Sequence, residues 1–350
     1  MMDRSYALDQ PSALSPPSRG VQLIDMDRLS GPLASVRALV RRTQMRLMQW
    51  LIDVVVRKAL RLWMRDREAA LTYIDRWRAY HMRPDTVSES VIEVNAVRAA
   101  PRGMLTPPPA ECQWFAPHKG EPHGFVFYVH GGSFIADASP KITAMVAKFA
   151  AQSNARVFAP SYRLAPEHPC PAAVDDIVSA FRWFRREWPN EPVVALAESA
   201  GAAILLAALQ RLRDDGEALP QGVVLLSPWV DVSLQSWSVI AASLAGTTPY
   251  SMESMAMTAH LYLQGFPATD PVASPLYGSF AEFPPMLIHA SKCDMVYDDA
   301  VRLADKVRDS GGDLTVRLWT AESHAWEQTS SPRARQSIDL AAEFIQRCLD

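Results

Sequence analysis

Six short apolar runs recur along the chain, and helical spacing follows most of them. GFVFYVH at 124–130 precedes a helical pattern over 138–152, and the run at 155–162 precedes one over 172–187. The run at 193–197 leads straight into an alanine- and leucine-rich helix pattern after Ser199. Runs at 223–226, 285–290 (PMLIHA) and 314–320 (LTVRLWT) complete the set, with helices expected over 298–310 and 334–348. Strands apolar on both faces, alternating with helices, specify an α/β fold: a mostly parallel central sheet with helices on both faces. The rhythm breaks over 235–275, where Ser, Met and Tyr with weak periodicity suit an inserted helical cap.

Composition narrows the classes. The chain has 350 residues, 49% of them hydrophobic, enough for one large domain with an added piece. A net charge of -3 carries no general attraction to nucleic acid. Cys112, Cys170, Cys293 and Cys348 stand far apart, without metal-ligand spacing or a disulfide framework. The first twenty residues hold no apolar core of a secretory signal, and no run is long enough to span a bilayer. The expectation is a reduced, cytoplasmic protein with a loose, proline-rich segment over 1–30 and a rigid connector at 101–110 (PRGMLTPPPA).

Residues 35–67 differ from the rest. They carry nine Arg or Lys and two Asp, so the remainder of the chain sums to about -10. Arg42, Arg46, Gln49, Asp53, Arg57, Arg61 and Arg65 recur at steps of three and four, while Leu47, Met48, Leu51, Ile52, Val55, Ala59, Leu62 and Trp63 fill the other faces. That pattern predicts an amphipathic helix whose broad apolar surface packs on the main domain or on a twin subunit in a homodimer. Peripheral contact of 35–67 with an anionic membrane is the weaker alternative.

The chemistry centres on Ala197-Glu198-Ser199-Ala200-Gly201. A serine hydroxyl is a poor nucleophile at neutral pH and needs a base plus donors for the oxyanion that forms. A tight strand-to-helix turn lifts it from the sheet and aims helix N–H groups at that charge, which is the logic of G-x-S-x-G. Here Ala197 replaces the first glycine, so a slightly opened turn is expected. Serine also caps ordinary helices, so the motif alone is weak. Three further pieces strengthen it: His130-Gly131-Gly132-Ser133-Phe134 after the first strand, Asp294 after the strand at 285–290, and His324 after the strand at 314–320. Serine, acid and histidine in that order, each beyond the C-terminal end of a strand, form a hydrolase arrangement.

Together these stretches resemble the hormone-sensitive-lipase-like group of α/β-hydrolases over roughly 85–350. HGGSF at 130–134 resembles its oxyanion motif, SYRLAPEHPCPAAVDD at 161–176 its most distinctive block, and LLSPWVDVS at 225–233 its S-P-x-x-D segment. CDMVYDDA at 293–300 and SHAW at 323–326 fall where that family carries its acid and its histidine. The resemblance implies a serine carboxylesterase acting on small to medium, rather apolar esters through an acyl-serine, without cofactor or metal. Ser199 is then the nucleophile, His324 the base and acid, and Asp294 the orienting carboxylate. Gly131, Gly132 and Ala200 are expected to supply the oxyanion hole, and Ser133, Phe134 and Trp326 to shape the substrate pocket. Glu198 reads as a structural neighbour, and Tyr162, Arg163, Glu167, His168 and Asp176 as a buried brace. Asp298 and Asp299 are expected to open the next helix. The implied domains are 1–85, a disordered N-terminus plus a helical cap segment, and 86–350, the catalytic domain with its cap insertion near 235–275. A lactone hydrolase, an acyltransferase and an inactive scaffold are the alternatives on the same fold.

Overall fold

The computed structural model describes residues 21–24, 32–82, 96–98, 110–118 and 120–350. In chain order the elements are β1 (Val21–Ile24), α1 (Pro32–Arg65), α2 (Arg67–His81), β2 (Ala96–Arg98), β3 (Cys112–Pro117), β4 (Phe125–Val129), α3 (Pro140–Ser153), β5 (Arg156–Pro160), α4 (Ala172–Glu187), β6 (Val193–Glu198), α5 (Ala200–Asp214), β7 (Gly222–Leu226), α6 (Trp237–Ala245), α7 (Met252–Leu263), β8 (Met286–Ser291), α8 (Tyr297–Asp309), β9 (Leu314–Trp319) and α9 (Pro332–Leu349). Among the described residues the sheet has nine strands in the order β1-β9-β8-β7-β6-β4-β5-β3-β2. All neighbours pair in parallel except β3 with β5 and β2 with β3.

β4 shows how the sequence dictates the layers. All five of its residues are buried. Phe125, Phe127 and Val129 join one core with Ile177, Phe181 and Leu205 of α4 and α5, and with Leu303 of α8. Val126 and Tyr128 enter a second core with Met145 and Phe149 of α3 and Ile345 of α9. Alternation along one strand therefore feeds both faces, the reason its sequence is apolar without interruption. Each fully buried phenylalanine of this strand contributes about 2–3 kcal/mol of transfer free energy.

One expectation is corrected and another is extended. Within 1–30, Val21–Ile24 form an edge strand parallel to β9, Val21 opposite Val316 and Ile24 opposite Trp319; the rest of 1–20 and 25–31 lies outside the described residues, as does 101–109 of the connector. The helix expected over 35–67 forms as α1 and ends at Asp66, where a second helix that the sequence pattern does not announce, α2, folds back on it as a hairpin. Asp66 is extended (φ -153°), and its carboxylate accepts from the Ala69 amide at 3.0 Å to cap α2.

The hairpin lies against α6, α7 and the segment between them. Gln49 Nε2 donates to the Ser243 carbonyl at 3.4 Å, Ser251 Oγ donates to Asp53 Oδ1 at 2.5 Å, and Arg57 pairs with Glu253. Val56 and Ala59 of α1, and Ala70 and Ile74 of α2, turn inward and are buried. Arg78 of α2 reaches furthest. Its guanidinium donates to the carbonyls of Ile135 and Ala165, both at 2.8 Å, and to both Glu167 oxygens at 2.6 and 3.0 Å.

Candidate active site

β4 and β6 are adjacent, but β5 lies on one flank of β4 and β7 on the far flank of β6. Connections therefore diverge at this point, and a crevice opens beyond the strand ends. Ser199 stands there between β6 and α5 at φ 50°, ψ -128°. A non-glycine residue in such a region costs about 1–3 kcal/mol and survives only when its surroundings fix it. Here its N–H donates to Leu226 O at 3.0 Å, while its carbonyl accepts from Ala202 N at 3.0 Å and Trp229 N at 3.1 Å. Two residues after the serine, Gly201 has to be glycine: a Cβ there would lie 2.4 Å from the His130 carbonyl oxygen. Ala197 is fully buried in β6 opposite Val129 and Leu225, and the turn forms with its methyl in place.

The structure brings Ser199, His324 and Asp294 together from three strand ends. Ser199 Oγ lies 2.8 Å from His324 Nε2, and His324 Nδ1 lies 2.9 and 3.1 Å from the two Asp294 oxygens. An ionised carboxylate only accepts, so Nδ1 carries the proton and Nε2 presents its lone pair to the serine. The Asp294 and His324 side chains are almost wholly buried. Burial by itself lowers the imidazole pKa; the charge and hydrogen bond of Asp294 outweigh it, so His324 sits above its ordinary value. The edge of Tyr250, from the segment between α6 and α7, meets the His324 ring with centroids 5.9 Å apart. Burial and then the Glu198 charge push the Tyr250 phenol up to about 12, so it stays a neutral hydrogen-bonding group.

The loop after β4 wraps the serine, with one change from expectation. The Gly131 amide donates to Glu198 Oε1 at 3.3 Å, so it is not available to an oxyanion. Glu198 is the hub that fixes this: its Oε1 also accepts from Tyr128 Oη at 3.3 Å, and its Oε2 accepts from Gln328 Nε2 at 2.8 Å. No described residue accepts from the amides of Gly132, Ser133 or Ala200. Gly132 has φ 121° and its Cβ would lie 2.2 Å from the Ala136 carbonyl oxygen, so only glycine fits. Ser133 and Phe134 follow at φ 52° and 67°.

Other candidates land differently. Trp326 is no pocket residue: it is buried against Trp319, ring centroids 5.1 Å apart, beside Ala334 under α9. Phe134 is also buried, stacked 3.9 Å from Tyr262 and tilted against Trp229. It supports the loop from below. Ser133 alone of the three stays half-exposed. Tyr162 donates to the His130 carbonyl at 2.9 Å, whereas Arg163 and Asp176 form a forked pair near the surface, so the expected brace is only partly buried. Asp299 does more than open α8. It is buried, and its carboxylate accepts from the Val230 and Asp231 amides at 2.9 Å and from Ser236 Oγ, tying the 225–233 turn to the start of α6. Burial pushes its pKa to about 7, against those hydrogen bonds. Arg78, Tyr250, Gln328 and Glu327 escaped the sequence reading because nothing in their local pattern marks them. Among the described residues no group of three or more His, Cys, Asp or Glu is arranged to hold a metal.

Comparison with known proteins identifies the family. Residues 126–328 match the model of a family with the α/β-hydrolase fold. An acetyl-hydrolase of Streptomyces hygroscopicus is 31% identical over 255 residues, covering 70% of this chain and 83% of its own. An esterase of Acinetobacter venetianus is 27% identical, covering 63% and 73%. Among solved structures, EstE5 soaked with p-nitrophenyl butyrate superposes with a TM-score of 0.69 at 28% identity, covering 79% of this chain and 91% of that one. An esterase of the bacterial hormone-sensitive lipase family superposes with a TM-score of 0.68 at 26% identity, covering 87% and 99%. With a matching family model over more than half its length and a serine held at the strand switch, this chain belongs to the hormone-sensitive-lipase-like esterases of the α/β-hydrolase fold.

Proposed function

We propose that this serine carboxylesterase works through Ser199, His324 and Asp294. The observation that carries the reading is the unbroken hydrogen-bond chain from Ser199 Oγ through the imidazole to the buried carboxylate. Ser199 Oγ attacks the ester carbonyl while His324 Nε2 takes its proton. The tetrahedral oxyanion is held by the amides of Gly132, Ser133 and Ala200. His324 then protonates the leaving alcohol, and the carbonyl re-forms as an acyl-serine. Water, deprotonated by the same nitrogen, releases the acid and restores the serine. Asp294 keeps the imidazole in the correct tautomer and offsets its charge. One well-aimed oxyanion donor is worth about 3–4 kcal/mol, so the backbone shape of 131–134 matters nearly as much as the side chains.

The cap in this reading is the α1–α2 hairpin with α6 and α7. Tyr250 beside His324 makes the cap side aromatic. That favours small to medium, apolar esters. One relative is named an acetyl-hydrolase and another was soaked with p-nitrophenyl butyrate, so acetyl and butyryl esters are the first substrates to test. Hydrolysis of both by the wild type, and its loss in Ser199→Ala with circular dichroism unchanged, is the expected result. A Ser199→Ala protein that keeps its rate overturns the assignment. A cytoplasmic location fits the four free cysteines, which a reducing compartment keeps as thiols.

A further inference from the structure

Helix α1 has two faces, and the fold uses only one. Counting about 100° per residue from inward-facing Val56, residues 47, 50, 51 and 54 fall in one outward sector of about 120–220°, and residues 58, 61 and 65 continue the same stripe. Its first half is apolar and open: Leu47 is 58% exposed, Trp50 60%, Leu51 50% and Val54 44%. Its second half is basic and exposed: Arg61 and Arg65, with Lys58 at the margin, where its ammonium lies over the Tyr73 ring of α2, 4.7 Å from the centroid. Leu244, 76% exposed, sits at the end of α6 directly after Ser243, which α1 contacts through Gln49, and so adds apolar surface beside the stripe. The helix holds eight Arg or Lys and a single carboxylate, Asp53. Asp53 accepts from Ser251 on the opposite, cap-facing side.

We propose that this stripe docks the protein on a bilayer carrying anionic headgroups. No described helix is long and apolar enough to cross a membrane. A helix of this length, about 50 Å, instead lies in the interface plane, with Leu and Trp among the upper acyl carbons and Arg and Lys at the phosphates. A second copy serves the stripe less well. It covers the apolar half, but the basic half then meets cations or apolar surface, because the stripe carries no carboxylate to oppose them. Anionic lipid satisfies both halves at once. Docked this way, the cap helices stand at the membrane surface, and the esters reaching Ser199 are drawn from the lipid phase; this last clause rests on the reading of the previous subsection.

The test is flotation of the full chain with phosphatidylcholine–phosphatidylglycerol vesicles, compared with phosphatidylcholine alone. Flotation is expected only with the anionic vesicles and is expected to weaken as salt rises. A Lys58→Gln/Arg61→Gln/Arg65→Gln variant is expected to bind more weakly by on the order of a hundredfold, from about fivefold per cation near an anionic surface. Leu47→Glu/Trp50→Glu is expected to stop flotation, with hydrolysis of a water-soluble p-nitrophenyl ester unchanged as the control for folding. Absence of flotation with anionic vesicles overturns the proposal, and so does equal flotation by all three proteins. A wild-type dimer in sedimentation velocity that Leu47→Glu/Trp50→Glu converts to monomer also overturns it, since the stripe is then covered by a twin chain. Flotation needs no catalysis, so an inactive Ser199 assignment and a failed docking surface give separate results.

Discussion

Replacing Glu327 with glutamine should make the protein more resistant to unfolding on the alkaline side, by an amount the structure sets. Glu327 sits in the short turn Trp326–Gln328 just after His324 and points inward to α9. Its Oε1 accepts from Ser337 Oγ at 2.8 Å, and Ser337 Oγ lies 2.7 Å from His289 Nδ1. Burial pushes the Glu327 carboxyl from an ordinary 4.5 to about 8, helped by the charges of Glu198 and Asp294 and opposed by the Ser337 hydrogen bond. The same burial, with the Arg317 charge, lowers His289 to about 3, so this interior relay is neutral at neutral pH. A carboxyl with a raised folded pKa binds its proton more tightly when folded, so stability falls as pH rises from the unfolded toward the folded value. Between about pH 6 and pH 8 this one group should remove about 2 kcal/mol, just under the full 1.36 kcal/mol per unit because it is half-titrated at the upper end. Glutamine has the shape of the neutral acid and no proton to lose. Urea unfolding of both proteins at the two pH values reads the effect, because the contribution of Asp299 largely cancels in the difference. The expected outcome is a gain for Glu327→Gln over the wild type that grows by about 2 kcal/mol between them. A difference that does not change with pH refutes the burial argument.

Other outcomes follow from the same geometry. The rate constant kcat/KM should rise with pH through an apparent pKa above the ordinary 6.5 of histidine, since the free imidazole is the base; Asp294→Asn should lower that pKa and cut kcat by about 10⁴, the cost of the equivalent change in a serine protease. The sign for stability is opposite: the fold favours protonated His324, so its contribution fades as pH rises through the same value. Gly201→Ala should destabilise by about 1–3 kcal/mol or more by overpacking against the His130 carbonyl, whereas Ala197→Gly should cost only about 0.5–1 kcal/mol without raising activity; thermal unfolding checks both. Glu198→Ala, read by kcat rather than KM, should slow the reaction, because the Gly131 amide loses the acceptor that sets the loop.

The parallel strands were legible because strands covered on both faces must be apolar throughout, and FVFYV and VVALA are. β1, β2 and β3 were not. β1 and β2 are short edge strands and β3 lies antiparallel between β2 and β5, and VQLI, AVR and CQWFAP hold no apolar run as long as those of the central strands. The serine, acid and histidine were readable from their order and from motifs. The use of each amide was not, because whether Gly131 faces an oxyanion or Glu198 depends on where Tyr128 and Gln328 hold that carboxylate. Trp326 was misread for a related reason: sequence places it two residues from His324, but the αL turn at Ala325 (φ 52°) sends its ring down to Trp319.

Arg78 has a consequence for how the hairpin is held. Its guanidinium grips the carbonyl of Ile135, two residues past Ser133, and that of Ala165 beyond, from a helix that precedes the first catalytic strand by over forty residues. Any displacement of α2 would take the shared cation from those carbonyls and from the Glu167 carboxylate together. The seat of the hairpin and the shape of the 131–136 loop thus depend on a single side chain.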